Sequence, residues 1–268
     1  MKNNIFIEGL QGSGKSTLLR RLSQRYPEYK AYYEGDISPV ELAWCSYMTK
    51  EQFEEALRKF SHVEQEIRQY TKQEGEYYIT AYTRVLAEQR EFYEWMEQYE
   101  IYNARVDFQR FHDIIMERYR TLKPGKNLFE CSFFQNSMED MLLYYQMDEQ
   151  EIVDFYREAY EILQPKGFQM LYLTSDTIRE NILQIKRERT DEKGEELWYP
   201  LMLRYLQESP YGRAHGYKDL EDMISHFERR CAIEERIIEE VLGEDCIVLK
   251  AKGYKLEEIG MLKETFGI

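Results

Sequence analysis

The sequence predicts a doubly wound α/β fold, because five short apolar runs, most of them nearly continuous, alternate with long helical patterns and the first run feeds a glycine-rich loop. The runs are NIFIEG, YKAYYEG, KNLFECS, FQMLYLTS and DCIVLKA. Strands that are apolar on both sides are buried on both faces, which suits a parallel sheet covered by helices. With 268 residues, the chain is long enough to bury a substantial core, and a single domain over 1–268 is expected.

Taken in order, the first run leads directly into glycines, and the second strand ends at Glu34 and Asp36 within YYEGDISPVELAW. Between the second and third strands lies an insertion from about Ser38 to Leu122. Its text, including KEQFEEALRKFSHVEQEIRQY and EFYEWMEQYEIYNARVDFQRFHDIIMERYRTL, repeats apolar residues at helical spacing. A large, mostly helical cap is therefore expected there. Its many tyrosines read as packing residues with a wet hydroxyl. The third strand ends in Glu130 within NLFECSFFQN. After the fourth strand, the polar stretch KRERTDEKGEE predicts a mobile lid at about 186–196, and ESPYGRAHGYKD a second loop punctuated by Gly and Pro. The late pattern FERRCAIEERIIEEVLG reads as helix packed on the core, and could equally contribute to a homodimer.

Charge narrows the partners. The 36 basic and 50 acidic side chains leave a net charge of -14, which repels a nucleic-acid backbone and an anionic membrane face. Cys45, Cys131, Cys231 and Cys246 are scattered without a C-x-x-C pair, so neither a disulfide framework nor a zinc cage is indicated. His62, His112, His215 and His226 include no i,i+4 pair and read as packing or surface residues. No run approaches bilayer-spanning length, and no leader or address is evident, so a cytoplasmic protein is expected.

The most specific signal is Gly9, Gly14, Lys15 and Ser16, which satisfy G-x-x-x-x-G-K-[ST] with a strand before and a helix after. Gly9, Gly12 and Gly14, with Gln11 and Ser13 between them, let backbone N–H groups converge on phosphate oxygens. Lys15 reaches the β and γ phosphates, Ser16 offers its hydroxyl to Mg²⁺, and Thr17 adds a second hydroxyl at the helix start. ATP and Mg²⁺ are the expected cofactors. The same loop serves kinases, switches, motors and transport ATPases, so the acceptor must be read elsewhere.

In open parallel sheets the ligand lies beyond the carboxyl ends of the strands. For transfer to a hydroxyl, Glu34 suits the proton acceptor and Glu130 the acid that holds Mg²⁺, with Asp36 beside the acceptor. Asp36 has an alternative role as the cap of a helix over ISPVELAW with Pro39 in its first turn. Arg187 and Arg189 in IKRERTDEKG sit where a closing lid would meet spreading negative charge, or else form a solvated charge run. Cys131 reads as an inert buried thiol.

The ordered series IEGLQGSGKST, YEGDISPVELAW, VDFQRFHDIIMERY, LFECS and MLYLTSDTIRENILQIKRER resembles the deoxynucleoside kinase and thymidylate kinase-like group of P-loop kinases. The resemblance implies a P-loop NTPase fold: a five-stranded parallel sheet flanked by helices, with a large helical insertion and a lid. It further implies Glu34 as the base, Gln109 as a contact to the nucleobase edge, Glu130 as the metal-linked acid, and Arg187 and Arg189 as lid arginines. Where nucleoside kinases place an Arg after that Glu, this chain has Cys131. Thymidylate kinases need arginines for the acceptor's own phosphate, and Arg84, Arg105 or Arg110 could serve. The expected activity is ATP-dependent phosphorylation of a nucleoside or nucleoside monophosphate. Two alternatives stay open: a regulatory ATPase acting on a protein partner, and a kinase for a non-nucleotide metabolite or antibiotic.

Overall fold

The first apolar run forms β1 (Asn4–Gly9), with all six residues buried, and the chain passes through the glycine loop into α1 (Lys15–Arg25). α1 buries Leu18, Leu19 and Leu22 on one face and stops just before Pro27, whose ring forbids continuation. The short β2 (Lys30–Tyr32) follows. The computed structural model describes residues 3–175 and 177–251, and its contacts divide the chain into two compact units. One takes the chain up to Ala31 and from Lys123 onward, the other Tyr32–Leu122.

The second unit begins with turns. β2 stops short of Glu34, which lies in a turn closed by Asp36 N donating to the Tyr33 carbonyl at 3.0 Å, with Gly35 at φ +84. Residues 37–45 form turns and extended chain, so no helix starts at Asp36. Then come β3 (Ser46–Met48), α2 (Lys50–Lys59), α3 (Glu64–Gln69), β4 (Thr71–Glu74), β5 (Tyr77–Thr80), α4 (Arg90–Glu97) and α5 (Phe108–Thr121). Thr49 and Gln52 form a reciprocal capping box at the start of α2, and Asp107 caps α5. The helices carry the expected apolar faces: Phe53, Leu57, Phe60, Ile67, Phe92 and Met96 share one core.

The insertion is not only helical. β3, β5 and β4 form a three-stranded antiparallel sheet in that order. β4 and β5 join through a two-residue turn with Gly75 at φ +60 in its first position, as the twist of a tight hairpin favours. These strands are three or four residues long, too short for the alternation of an amphipathic strand to stand out from the helical text around them.

The remainder of the first unit supplies β6 (Asn127–Glu130), α6 (Gln135–Glu139), α7 (Glu149–Leu163), β7 (Phe168–Thr174), α8 (Ile178–Glu188), α9 (Trp198–Glu208), α10 (Pro210–His215), α11 (Leu220–Ile237) and β8 (Cys246–Lys250). The five expected apolar runs all become strands of one sheet, in the order β2-β6-β1-β7-β8. β1 pairs in parallel with β6 and β7, and β7 with β8. The result is an α/β architecture with a parallel five-stranded sheet flanked by helices. Phe6 at the centre lies 5.0 Å from Phe129 and 4.9 Å from Phe168, ring to ring, so aromatic burial locks the three middle strands together.

Below the carboxyl ends of the strands, α6, β7 and α11 enclose a charged cluster. Arg230, fully buried, donates to Glu139 and Glu234 at 2.7 Å each. His226 contacts Glu139 at 2.7 Å, and the Tyr172 hydroxyl donates to Glu234 at 2.7 Å. Burial alone would raise the Glu139 carboxyl, but His226 and Arg230 outweigh it and hold it down at about 2. His226 is thus buried against Glu139 and not a surface residue. Among the described residues no helix is long and apolar enough to cross a membrane.

Candidate functional site

β1 delivers the chain to the glycine loop at Gly9, φ +134, where a Cβ would come within 2.4 Å of the Leu173 carbonyl on β7. Only glycine fits that approach. Gly12 and Gly14 also have positive φ, 74 and 98, and Gly14 occupies the N-cap of α1 without a side-chain cap. The first N–H groups of α1 are therefore left for a ligand, at the positive end of the helix dipole.

Lys15 is 6 % exposed and its Nζ donates to the carbonyls of Gly9 at 2.7 Å and Leu10 at 2.9 Å. Gln11 Oε1 and Ser13 Oγ are buried with no hydrogen-bond partner among the described residues. The exposed Ser16 donates its hydroxyl to the Glu130 carboxylate, 114 residues away in sequence. The unpartnered Ser13 hydroxyl, an uncapped helix start and a buried cation suit a bound polyanion. Ser16 and Glu130 offer hard oxygen donors of the kind Mg²⁺ accepts beside phosphate oxygens. No group of three or more His, Cys, Asp or Glu among the described residues is placed to hold a metal ion, so a cation here would depend on a bound phosphate for further ligands.

Glu130 ends β6 opposite Ile7. The chain then turns sharply: Cys131 has φ +54 while its N–H still donates to the Ile7 carbonyl at 3.2 Å. A non-glycine residue in that conformation carries strain. The Cys131 side chain is buried with Sγ 3.4 Å from Gln135 Oε1. A buried thiol therefore occupies the position at which the family resemblance places a guanidinium. One residue before the loop, Glu8 is fully buried and accepts from the Phe133 N–H at 2.7 Å through Oε1. Its Oε2 has no hydrogen-bond partner among the described residues, and burial pushes its carboxyl up to about 7 despite that hydrogen bond and the charge of Lys15.

α8 packs against this loop. Asn181, itself buried, donates from Nδ2 to the Gln11 carbonyl at 3.0 Å. A Cβ on Gly12 would meet Ile185 Cγ1 at 2.3 Å, so Ile185 lies directly against the loop. Arg187 sits in the last turn of α8 and Arg189 at its C-cap. Both side chains are exposed, and neither has a hydrogen bond or ion pair among the described residues. Beyond them, Thr190 and Glu196 form an antiparallel bridge, and Asp191 accepts from the N–H groups of Lys193 and Glu195 at 2.8 Å each. Lys186 lies 4.1 Å above the Tyr199 ring, tying the helix end to α9.

In the second unit, Glu34 is half-buried and accepts from the Trp44 indole N–H at 3.3 Å. Trp44 is 48 % exposed and held at φ +61. Asp36 accepts from the Tyr33 N–H at 2.8 Å and from Arg84 at 2.7 Å, and with Arg84, Lys72, Thr71 and Gln69 it lines an open cleft. Arg105 pairs with Glu97 and Arg110 donates to the Tyr77 hydroxyl. Gln109 is exposed on α5 and donates to Asp113 one turn on, at 2.9 Å. Two buried acids lie deeper. Glu41 accepts from the N–H groups of Leu42 and Ala43 and from the Tyr102 hydroxyl, Glu100 from the Tyr82 hydroxyl. Burial pushes each up to about 7.

The first unit thus gathers Gly9, Gln11, Gly12, Ser13, Gly14, Lys15, Ser16, Thr17 and Glu130 at the carboxyl end of β1 and β6, with α8 against the loop. Glu34, Asp36 and Gln109 belong to the second unit. Sequence reasoning missed Asn181, Glu8, Trp44 and Glu41. Glu8 left a signal, a lone acid inside an apolar strand; Asn181 left none. No protein-family model and no curated protein matches this chain.

Proposed function

We propose that the chain is a Mg²⁺- and ATP-dependent kinase with a P-loop NTPase fold, passing the γ-phosphoryl group to a hydroxyl of a nucleoside or nucleoside monophosphate. The observation that carries this reading is the contact between Ser16 and Glu130, at the end of a glycine loop whose lysine is buried against its own carbonyls. The loop N–H groups and Lys15 bind and orient the donor phosphates. Ser16 and Glu130 would hold Mg²⁺, which when bound supplies neutralising charge to the transferring phosphoryl group. Arg187 and Arg189, uncommitted at the end of α8, would complete the charge compensation. Glu34 is assigned the acceptor's proton from its place just after β2 and from the resemblance. Nothing in the site favours a protein-directed ATPase.

The test is ATP consumption with Mg²⁺ against a panel of deoxynucleosides, nucleoside monophosphates and unrelated alcohols, with Lys15→Ala as the blank. One nucleoside or monophosphate raises turnover well above the acceptor-free rate, and Glu34→Gln removes that rise while leaving ATP binding near normal. Full acceptor-stimulated turnover in Glu34→Gln would remove the base from Glu34. Turnover that no acceptor raises would overturn the kinase reading.

A further inference from the structure

Two contacts hold α8 against the glycine loop, and both fall on the same peptide plane. Asn181 Nδ2 donates to the Gln11 carbonyl at 3.0 Å, and Ile185, one turn further along the helix, fills the space that a Cβ on Gly12 would need. A trans peptide points its C=O and the following N–H to opposite sides. With the Gln11 carbonyl held toward α8, the Gly12 N–H is turned away from the helix. We propose that Asn181 is a positioning residue: it sets the Gln11–Gly12 peptide for anion binding and, with Ile185, carries the loop's occupancy along α8 to Arg187 and Arg189. This rests on the reading of the loop as a nucleotide site.

The elements in between are stiff. Asn181 and Ile185 are both buried, and a β-branched side chain has little rotamer freedom with which to absorb a shift of Gly12. A helix rises 1.5 Å per residue, so the six steps from Asn181 to Arg187 span roughly 9 Å of continuous hydrogen-bonded backbone. Arg179 pairs with Glu221 of α11 near the start of α8, and Lys186 contacts Tyr199 and Glu196 at its end. A movement of the Gln11–Gly12 peptide is therefore passed to the arginine-bearing end and not lost in side-chain rearrangement.

Hydrogen exchange of segments 9–17 and 186–197 in the full chain, across a titration of MgATP, tests this. In the wild type both segments become protected at the same ATP concentration. In Asn181→Ala the loop is still protected, with half-saturation raised about tenfold, while 186–197 exchanges as it does without ATP. Gln184→Ala, on the exposed side of α8, behaves as wild type. Asn181→Asp, similar in size but without the donor, gives the same loss of coupling and serves if the alanine variant does not fold. Undiminished protection of 186–197 in the Asn181 variants would overturn the proposal, as would faster exchange of both segments by one common factor before ATP is added. Wild-type protection of 9–17 without 186–197 also overturns the coupling but leaves the nucleotide site standing. No wild-type protection of 9–17 overturns the nucleotide site itself.

Discussion

Lys15 donates to the carbonyls of Gly9 and Leu10 at 2.7 and 2.9 Å, closing the loop on the cation that its sequence motif assigns to phosphate. A phosphate replaces those neutral carbonyl acceptors with oppositely charged oxygens, adding ion-pair attraction to the hydrogen bonds. Lys15→Ala is therefore expected to lose the stabilisation by MgATP, which in the wild type reaches about 2.7 kcal/mol at a hundredfold excess over Kd. Thermal unfolding with and without nucleotide measures it. An undiminished shift in Lys15→Ala would place the nucleotide elsewhere.

Glu130 reaches Ser16 because β6 lies beside β1 and the chain turns at Cys131 immediately after it. Glu130→Gln preserves volume and a hydrogen bond to Ser16 while removing the negative charge. The Mg²⁺ concentration that half-saturates nucleotide-dependent turnover should rise by about 10- to 100-fold, with metal-free nucleotide binding retained. A Mg²⁺ titration of ATP consumption distinguishes this from simple loss of folding, which would abolish both.

Glu41 gives a pH dependence independent of nucleotide. Burial raises its carboxyl from 4.5 in the unfolded chain to about 7 in the fold. The folded state therefore favours the protonated form. That contribution to stability is full below pH 4.5 and is lost as pH rises through about 7, a change on the order of 3 kcal/mol. Glu41→Gln keeps a carbonyl acceptor for the Leu42 and Ala43 N–H groups and carries no charge at any pH. Urea unfolding should find the variant more stable than wild type at pH 8 and nearly equal at pH 4.5. Equal differences at both pH values would refute the assignment.

The three central strands of the large sheet, β1, β6 and β7, were legible because each is buried nearly throughout, a pattern that few other environments impose. The edge strands β2 and β8 are partly exposed and were legible from their short apolar runs. Ser16 and Glu130 were legible together because one belongs to a spaced motif and the other to a strand's carboxyl end, where ligands of parallel sheets bind. The hairpin of β4 and β5 was not, since TKQE is largely exposed and offers no apolar alternation; Gly75 between two quartets was its sole mark. The turn over Asp36 defeated the helix-cap alternative because Asp36 spends its carboxylate on the Tyr33 N–H and Arg84. Asn181 could not be read at all, because its partner is a backbone carbonyl 170 residues away and a carbonyl has no residue type.

Gly12 offers a purely structural check on how α8 meets the loop. A Cβ there would lie 2.3 Å from Ile185 Cγ1 and 2.6 Å from its Cδ1, on a backbone at φ +74. Gly12→Ala combines left-handed strain of about 1–2 kcal/mol with overpacking of similar size, so a loss of about 2–4 kcal/mol is expected. Ile185→Ala alone should cost about 2–5 kcal/mol for the cavity it leaves. The new methyl group in the double variant enters the space vacated by Ile185, so the two losses should fall short of additive by more than about 0.5 kcal/mol. Urea unfolding of the three variants closes the cycle. Strict additivity would mean that Ile185 does not rest on Gly12 in solution, and the link between the loop and α8 would lose its second contact.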